Sequence, residues 1–171
     1  MNVRIAQEAD ADALADLHSG GFDVAWSSQD LTAMISKPVY DVVLAECDRD
    51  YPPLAFGVSQ WAGDDIELIT LVSAPDHRRK GSAQSVLKAL DNLAVSRGSD
   101  RWVLDVAEDN AAAIALYKQL GFLPFASRKD YYRRENMRVD AVIMAQKVGE
   151  VSARVDISRN AAHTGTSTRK G

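Results

Sequence analysis

The stretch APDHRRKGSAQSVLKAL, at residues 74–90, sets His77, Arg78, Arg79 and Lys80 side by side in a chain of formal net charge −4. Like charges this close repel, so they stand either in bulk water or around an anion. Gly81 follows at once, and a helical pattern starts behind it. The first turn of a helix carries unsatisfied N–H groups and partial positive charge, and arginine forks fit phosphate oxygens. A solvated basic surface loop is the competing reading. The stretch is no P-loop, because G-x-x-x-x-G-K-[ST] is absent, and no expected strand is followed by G-x-G-x-x-G. A second group of reactive types, Asp105, Glu108, Asp109, Asn110 and Tyr117, lies just downstream. Its carboxylates can take a proton, and a phenol of pKa about 10 can hold one at neutral pH and give it up.

These residues need a scaffold, and the periodicities predict one. NVRIA reads as a short strand, and DADALADLH as a helix with Asp10 as its cap. Ser27 or Ser28 can cap a second helix around 31–35, which Pro38 ends. YDVVLAE, PLAFGVSQW and DIELITLVS read as strands, the last stopped by Pro75. From Gly81 the period changes: Ala83, Val86, Leu87, Leu90, Leu93 and Ala94 form one face of a long helix closing at Arg97 and Gly98. RWVLDVA is another strand. Asn110 then caps a helix with the stripe Ala113, Leu116, Tyr117 and Leu120, ending on Gly121. PFASRKDYY and DAVIMAQ complete the order as two strands. Strands with interspersed helices predict an α/β domain with a sheet of mixed direction over residues 1–148. Residues 149–171, poor in large apolar side chains, read as a disordered tail.

Composition narrows the function classes. The 171 residues, 46% of them apolar, suffice for one domain with a sizeable core. A pI near 5.3 argues against nucleic-acid binding as the main activity. Cys47 is the sole cysteine, which excludes an internal disulfide and suits a reducing, cytoplasmic setting; it reads as a half-buried strand thiol. Residues 1–20 show no signal peptide, and no stretch approaches the roughly 20 apolar residues of a membrane span. His18, His77 and His163 lack metal-ligand spacing with the lone cysteine, and no nucleophile-elbow motif supports Ser-His-Asp chemistry.

Arg78-x-x-Gly81-x-Ala83 behind a strand and Pro75 resembles the acetyl-CoA loop, Q/R-x-x-G-x-G/A, of the GCN5-related N-acetyltransferases. LDVAEDNAAAIALYKQLGF, at 104–122, is more specific: it resembles the L-E-V…N-x-x-A-x-x-L-Y-x-x-x-G-F block of that superfamily. SRKDYY and DAVIM are similar to the end of its RimI-like branch, the ribosomal-protein N-terminal alanine acetyltransferases. The resemblance implies a mixed, mostly antiparallel central sheet with about four flanking helices and acetyl-CoA as co-substrate; the histidine and cysteine spacing leads us to expect no metal. It implies that Leu71, Val72 and Ser73 pair their backbone with the pantetheine arm. Arg78, Arg79, Lys80, Gly81, Ser82 and Ala83 would hold the pyrophosphate, and Asn110 would reach the cofactor. Tyr117 would be the general acid, its other reading being a core aromatic.

Asp105 stands where the RimI-like pattern has a glutamate base. Aspartate is one methylene shorter, so a relaying water would be needed; Glu67 and Glu108 are rivals. An α-amine of pKa about 8 is easier to deprotonate than a lysine near 10.4, by roughly 3.3 kcal/mol at about 1.36 kcal/mol per unit. An indirect base therefore suits an α-amine. Tyr131 and Tyr132 match the family's paired tyrosines, and Phe22 and Trp26 would form a further aromatic wall for the substrate, or belong to the core. The expected partner is an acceptor protein N-terminus, such as that of a ribosomal protein, with no nucleic acid and no membrane. Transfer to a small amine, or a non-catalytic acyl-CoA-binding module, are the alternatives.

Overall fold

The computed structural model describes residues 1–21, 25–48, 51–134 (Arg134 by its backbone only) and 137–151. Seven strands and four helices follow one another as β1 (Asn2–Ile5), α1 (Ala11–Ser19), α2 (Ser28–Ile35), β2 (Tyr40–Glu46), β3 (Ala55–Ala62), β4 (Asp65–Ser73), α3 (Ser82–Arg97), β5 (Arg101–Ala107), α4 (Ala111–Gln119), β6 (Leu123–Arg134) and β7 (Met137–Lys147). They build one sheet in the order β1-β2-β3-β4-β5-β7-β6, in which only β4 and β5 run parallel. The crossover between them is α3, as a parallel pair requires. The expected α/β architecture, mostly antiparallel with four helices, is the one found.

Each sheet face carries its own apolar cluster. Ile66, Leu68, Val86, Leu87, Leu90, Trp102, Leu104, Tyr117, Phe122 and Met144 pack together on the side of α3 and α4. Leu14, Leu31, Leu44, Phe56, Val58 and Val72 pack on the side of α1 and α2. Helix α3 lies very close to β3. A Cβ on Gly57 would stand 3.0 to 3.2 Å from Val86, Leu90 and Leu71, so glycine there sets how near the helix N-terminus comes to the sheet. Beneath α3 the buried Asp91 carboxylate accepts from Trp102 Nε1 at 2.8 Å and from the Gly149 N–H at 2.9 Å. Packing thereby runs on to the buried Val151; residues 152–171 lie outside the described residues.

Two local expectations are corrected. Asp10 makes no side-chain cap on α1. Its carboxylate is taken by Arg4 at 2.7 and 2.9 Å and by the Gln7 N–H at 2.7 Å, and the same guanidinium also holds the buried Glu46. A charge-assisted fork displaces a single cap bond. Cys47 is exposed, one residue past the end of β2, instead of half-buried within it. Ser27, of the two serines considered, caps α2: its Oγ accepts from Asp30 N at 3.2 Å while the Asp30 carboxylate accepts from Ser27 N at 2.9 Å.

Candidate active site

The site begins where the sheet comes apart. β4 pairs with β5 from Asp65 opposite Arg101 to Leu68 opposite Leu104, and no further. The cause is a bulge: Ser59 opposes Leu68 and Val58 opposes Thr70, leaving Ile69 surplus on β4. A surplus residue bends its strand, and here the bend turns β4 away from β5. β4 stays paired to β3 through Leu71, Val72 and Ser73, while β5 stays paired to β7 through Ala107. The β5-facing edge of Leu71, Val72 and Ser73 therefore has no strand partner. Such an edge can hydrogen-bond an extended, amide-bearing chain.

At the mouth of this gap lies the cationic loop. A single helical turn, Pro75–His77, leads into Arg78, Arg79 with φ 62° and Gly81 with φ 85°. Gly81 is the N-cap of α3, and no side chain caps that helix. A φ of 85° favours glycine, and Gly81 is exposed with open space around its missing Cβ. That turn carries no acid. Arg78, Arg79 and Lys80 are exposed, with no ion pair among the described residues. The Ser82 hydroxyl is buried and has no hydrogen-bond partner among them. Free cations, open helix N–H groups and an orphan hydroxyl at one place match a pyrophosphate. The residues present thus fit acetyl-CoA at this loop.

Tyr117 stands on the α3 and α4 side of the sheet, in the cluster that holds Leu68, Leu104 and Val106 of the two parting strands. The Asn110 side-chain carbonyl caps α4 by accepting from Ala113 N at 3.1 Å, and the amide N–H groups have no hydrogen bond among the described residues. Tyr117 is 8% exposed and lies with Phe122, ring centroids 5.8 Å apart, so it belongs to the core. Its hydroxyl makes no hydrogen bond among the described residues. Burial, with the Tyr132 phenol adding a smaller push, raises its pKa above the ordinary value. The phenol stays protonated at neutral pH, able to donate and unable to act as a base.

The opposite face of the gap holds carboxylates. Ile66, Leu68, Leu104 and Val106 point toward α3 and α4, so alternation puts Glu67 and Asp105 on the side of α1 and α2. Glu67 is exposed; the Asp105 side chain is 12% exposed and accepts from Arg128 Nη1 at 3.0 Å. Tyr132 donates its hydroxyl to the Asp105 backbone carbonyl at 3.1 Å and meets Tyr131 edge-on at 5.1 Å. Asp105, Tyr131 and Tyr132 are therefore brought together. Glu108 is exposed at the end of β5, its N–H donating to the Asp140 carbonyl at 2.9 Å. Trp26 is half-buried before α2 and stacks on His18 at 4.5 Å, with its backbone N–H donating to His18 Nδ1 at 3.1 Å. Gly21 lies against Val72, which places the end of α1 over the C-terminal end of β4. Phe22 lies outside the described residues.

Sequence reasoning missed two residues. His18 follows Leu14 by four on the buried stripe of α1, a periodicity that could have shown it was inward. No sequence signal links Arg128 to Asp105, because that contact reaches across β7. Among the described residues no three His, Cys, Asp or Glu side chains group as a metal site, and no helix is long and apolar enough to cross a membrane.

A family model described as acetyltransferase (GNAT) family matches residues 6–122. The ribosomal protein bS18-alanine N-acetyltransferase of Escherichia coli (strain K12) is 38% identical over 91 residues, covering 53% of this chain and 62% of the relative, so that alignment spans under two thirds of its length. The Haemophilus ducreyi protein of the same name is 30% identical over 139 residues, covering 81% of this chain and 94% of the relative. A crystal structure of the ribosomal-protein-S18-alanine N-acetyltransferase from Escherichia coli superposes with a TM-score of 0.76 at 27% identity, covering 86% of this chain and 93% of that one.

Proposed function

The chain belongs to the acetyltransferase (GNAT) family, and from that premise we propose that it transfers an acetyl group from acetyl-CoA to the N-terminal α-amine of a protein. A ribosomal protein beginning with alanine is the acceptor class that the names of its relatives suggest. The observation that carries the reading is the parting of β4 and β5, with free cations at its mouth and a buried phenol on the α3 and α4 side of the sheet.

Bound acetyl-CoA supplies a thioester carbonyl for the amine and a thiolate to leave. Arg78, Arg79, Lys80, the Ser82 hydroxyl and the first N–H groups of α3 hold its pyrophosphate, with Gly81 and Ala83 keeping the backbone close. The open edge of Leu71, Val72 and Ser73 pairs with the amide-bearing arm, and the free amide donors of Asn110 face the same ligand. Asp105, through a water, accepts the proton the amine sheds as its nitrogen bonds to the acetyl carbon. Tyr117 gives its proton to sulfur as the C–S bond breaks. Tyr131, Tyr132 and Trp26 line the acceptor's approach. A cytoplasmic setting suits this chemistry.

One observation favours a second reading of the base. Arg128 already occupies one oxygen of Asp105, whereas Glu67 on the same face makes no ion pair among the described residues. Asp105→Asn and Glu67→Gln, compared by kcat, decide between them.

The reading is tested by incubating the protein with acetyl-CoA and two peptides, then weighing the products by mass spectrometry. One peptide has a free N-terminal alanine; the other has a blocked N-terminus and an internal lysine. Acetylation of the first alone is expected. Acetylation of neither, with CoA binding intact, would replace this reading with transfer to a small amine or a silent binding module.

A further inference from the structure

The irregular part of β6 has a purpose beyond the paired tyrosines. Arg128 opposes Ala141 on β7 and Tyr132 opposes Val139, so Lys129, Asp130 and Tyr131 face the single residue Asp140. The two surplus residues are accommodated by Asp130 at φ 55°, whose N–H donates to Asp140 Oδ1 at 2.8 Å, and whose carbonyl accepts from Arg138 Nη1 at 3.3 Å. Bulges of this kind re-aim side chains. Here Arg128 and Tyr132 both reach a single residue of β5, Asp105, while Tyr131 packs against the two of them.

The resulting geometry is that of a guanidinium held by two weak tethers with one edge open. Arg128 Nη1 donates to Asp105 Oδ2 at 3.0 Å, and the guanidinium carbon lies 5.2 Å from the Tyr131 ring centroid. Nε and Nη2 have no hydrogen bond among the described residues, and the side chain is 52% exposed. An ion pair this exposed yields readily to a competing charge. The ammonium of an arriving acceptor is such a charge, drawn to the same carboxylate. When it takes Asp105, Arg128 stays over Tyr131 with its planar donors free, the form in which arginine binds carboxylates in two-point fashion.

We infer that Arg128 is a specificity-determining residue which reads a carboxylate on the acceptor, held within about one residue of the amine to be acetylated. The spacing follows from the contact itself. The anionic subsite, Asp105, and the cationic subsite, Arg128, touch, so they suit a molecule whose ammonium and carboxylate lie close together. A peptide with Asp or Glu at its second position has that chemistry, and so does a free amino acid. A peptide with Lys or Arg at that position meets a like charge instead. The inference deepens the acceptor part of the proposed function and rests on Asp105 facing the acceptor amine.

The test uses the full chain, CoA-saturated for binding and acetyl-CoA-loaded for turnover. The probes are four peptides identical beyond Ala-Glu, Ala-Asp, Ala-Ala and Ala-Lys, together with free glutamate. Wild type is expected to favour Ala-Glu over Ala-Lys by about tenfold or more in kcat/KM, chiefly through KM. Arg128→Gln should bring the ratio to within about twofold, Arg128→Glu should invert it, and Arg128→Lys should restore part of it. Thermal melting of each variant separates this from misfolding, which would lower all four peptides together and leave the ratio intact. Acetylation of glutamate alone, abolished in Arg128→Gln, would support the inference with an amino acid as the source. Binding that follows the same charge order without any turnover would support Arg128's role while overturning acetyl transfer. Equal binding and turnover across the four peptides, or a wild-type preference for Ala-Lys, would overturn the inference.

Discussion

On the proposed reading, the two halves of the gap, one for the acetyl donor and one for the acceptor, are built by different means. The donor half is local: one strand end, one turn and one helix start, all between Leu71 and Ala83, give the open edge, the cations and the N-terminal N–H groups. The proposed acceptor half is assembled from Glu67, Asp105 and the Arg128 to Tyr132 segment on three strands, with His18 and Trp26 on the same face of the sheet at the end of α1 and the entry to α2. A ligand whose phosphates never vary can be held by a contiguous motif. An acceptor whose identity must be discriminated is read by side chains converging from distant parts of the chain. The donor half should therefore fail by loss of affinity for the nucleotide, and the acceptor half by change of preference.

The largest expected effect falls on the residue between the halves. Tyr117→Phe should lower kcat by about 10²- to 10⁴-fold, the range for a positioned proton donor. Its thermal midpoint should hold, because the hydroxyl gives up no protein hydrogen bond on removal. Steady-state kinetics beside calorimetric CoA binding checks this. Unchanged kcat and KM would make Tyr117 a core aromatic and nothing more.

A middle-sized effect belongs to the donor half. At φ 85° a side chain costs about 1–2 kcal/mol, although nothing stands near the position of the added Cβ. Gly81→Ala should consequently raise KM for acetyl-CoA by about tenfold, since 1.4 kcal/mol is a factor of ten. The acceptor preference should stay put. Arg78→Ala should act in the same direction and also flatten the salt dependence of CoA binding. If either variant changed peptide preference instead, the division into halves would be wrong.

This contrast also explains what the sequence made legible. Strands YDVVLAE, DIELITLVS and RWVLDVA appear with those bounds, because alternation and turn residues are local signals. The cationic loop and the Asn110 cap are equally local. The bulge at Ile69, which opens the sheet, leaves no mark in DIELITLVS, since it arises from the register with β3. Asp10 is drawn from the α1 cap by near neighbours, Arg4 and the Gln7 N–H, a choice among local partners that the capping pattern alone does not decide. The Arg128 contact with Asp105 is of the opposite kind, joining β6 to β5 across β7. What pairwise contacts across the sheet decide, a single strand's pattern cannot reveal.

The smallest effect tests the back of the acceptor half. His18 Nδ1 accepts the Trp26 N–H and the ring stacks on Trp26, so this one tether on the segment entering α2 needs that nitrogen unprotonated. Burial lowers the His18 pKa from its ordinary value. With the folded value below the unfolded one of about 6.5, the unfolded chain binds the proton first as pH falls. The stabilisation is therefore fully present above about pH 6.5 and is lost as pH drops through the folded value. Protonation should loosen the Trp26 wall and raise the peptide KM by about threefold, the scale of one net hydrogen bond. Amine protonation moves KM too, so the quantity to follow is the ratio of wild type to His18→Phe, in which it cancels. That ratio should favour wild type at pH 7.5 and approach one toward acid pH, with KM for acetyl-CoA giving no such trend. A ratio independent of pH would leave His18 as packing alone and put the acceptor wall in the hands of Tyr131 and Tyr132.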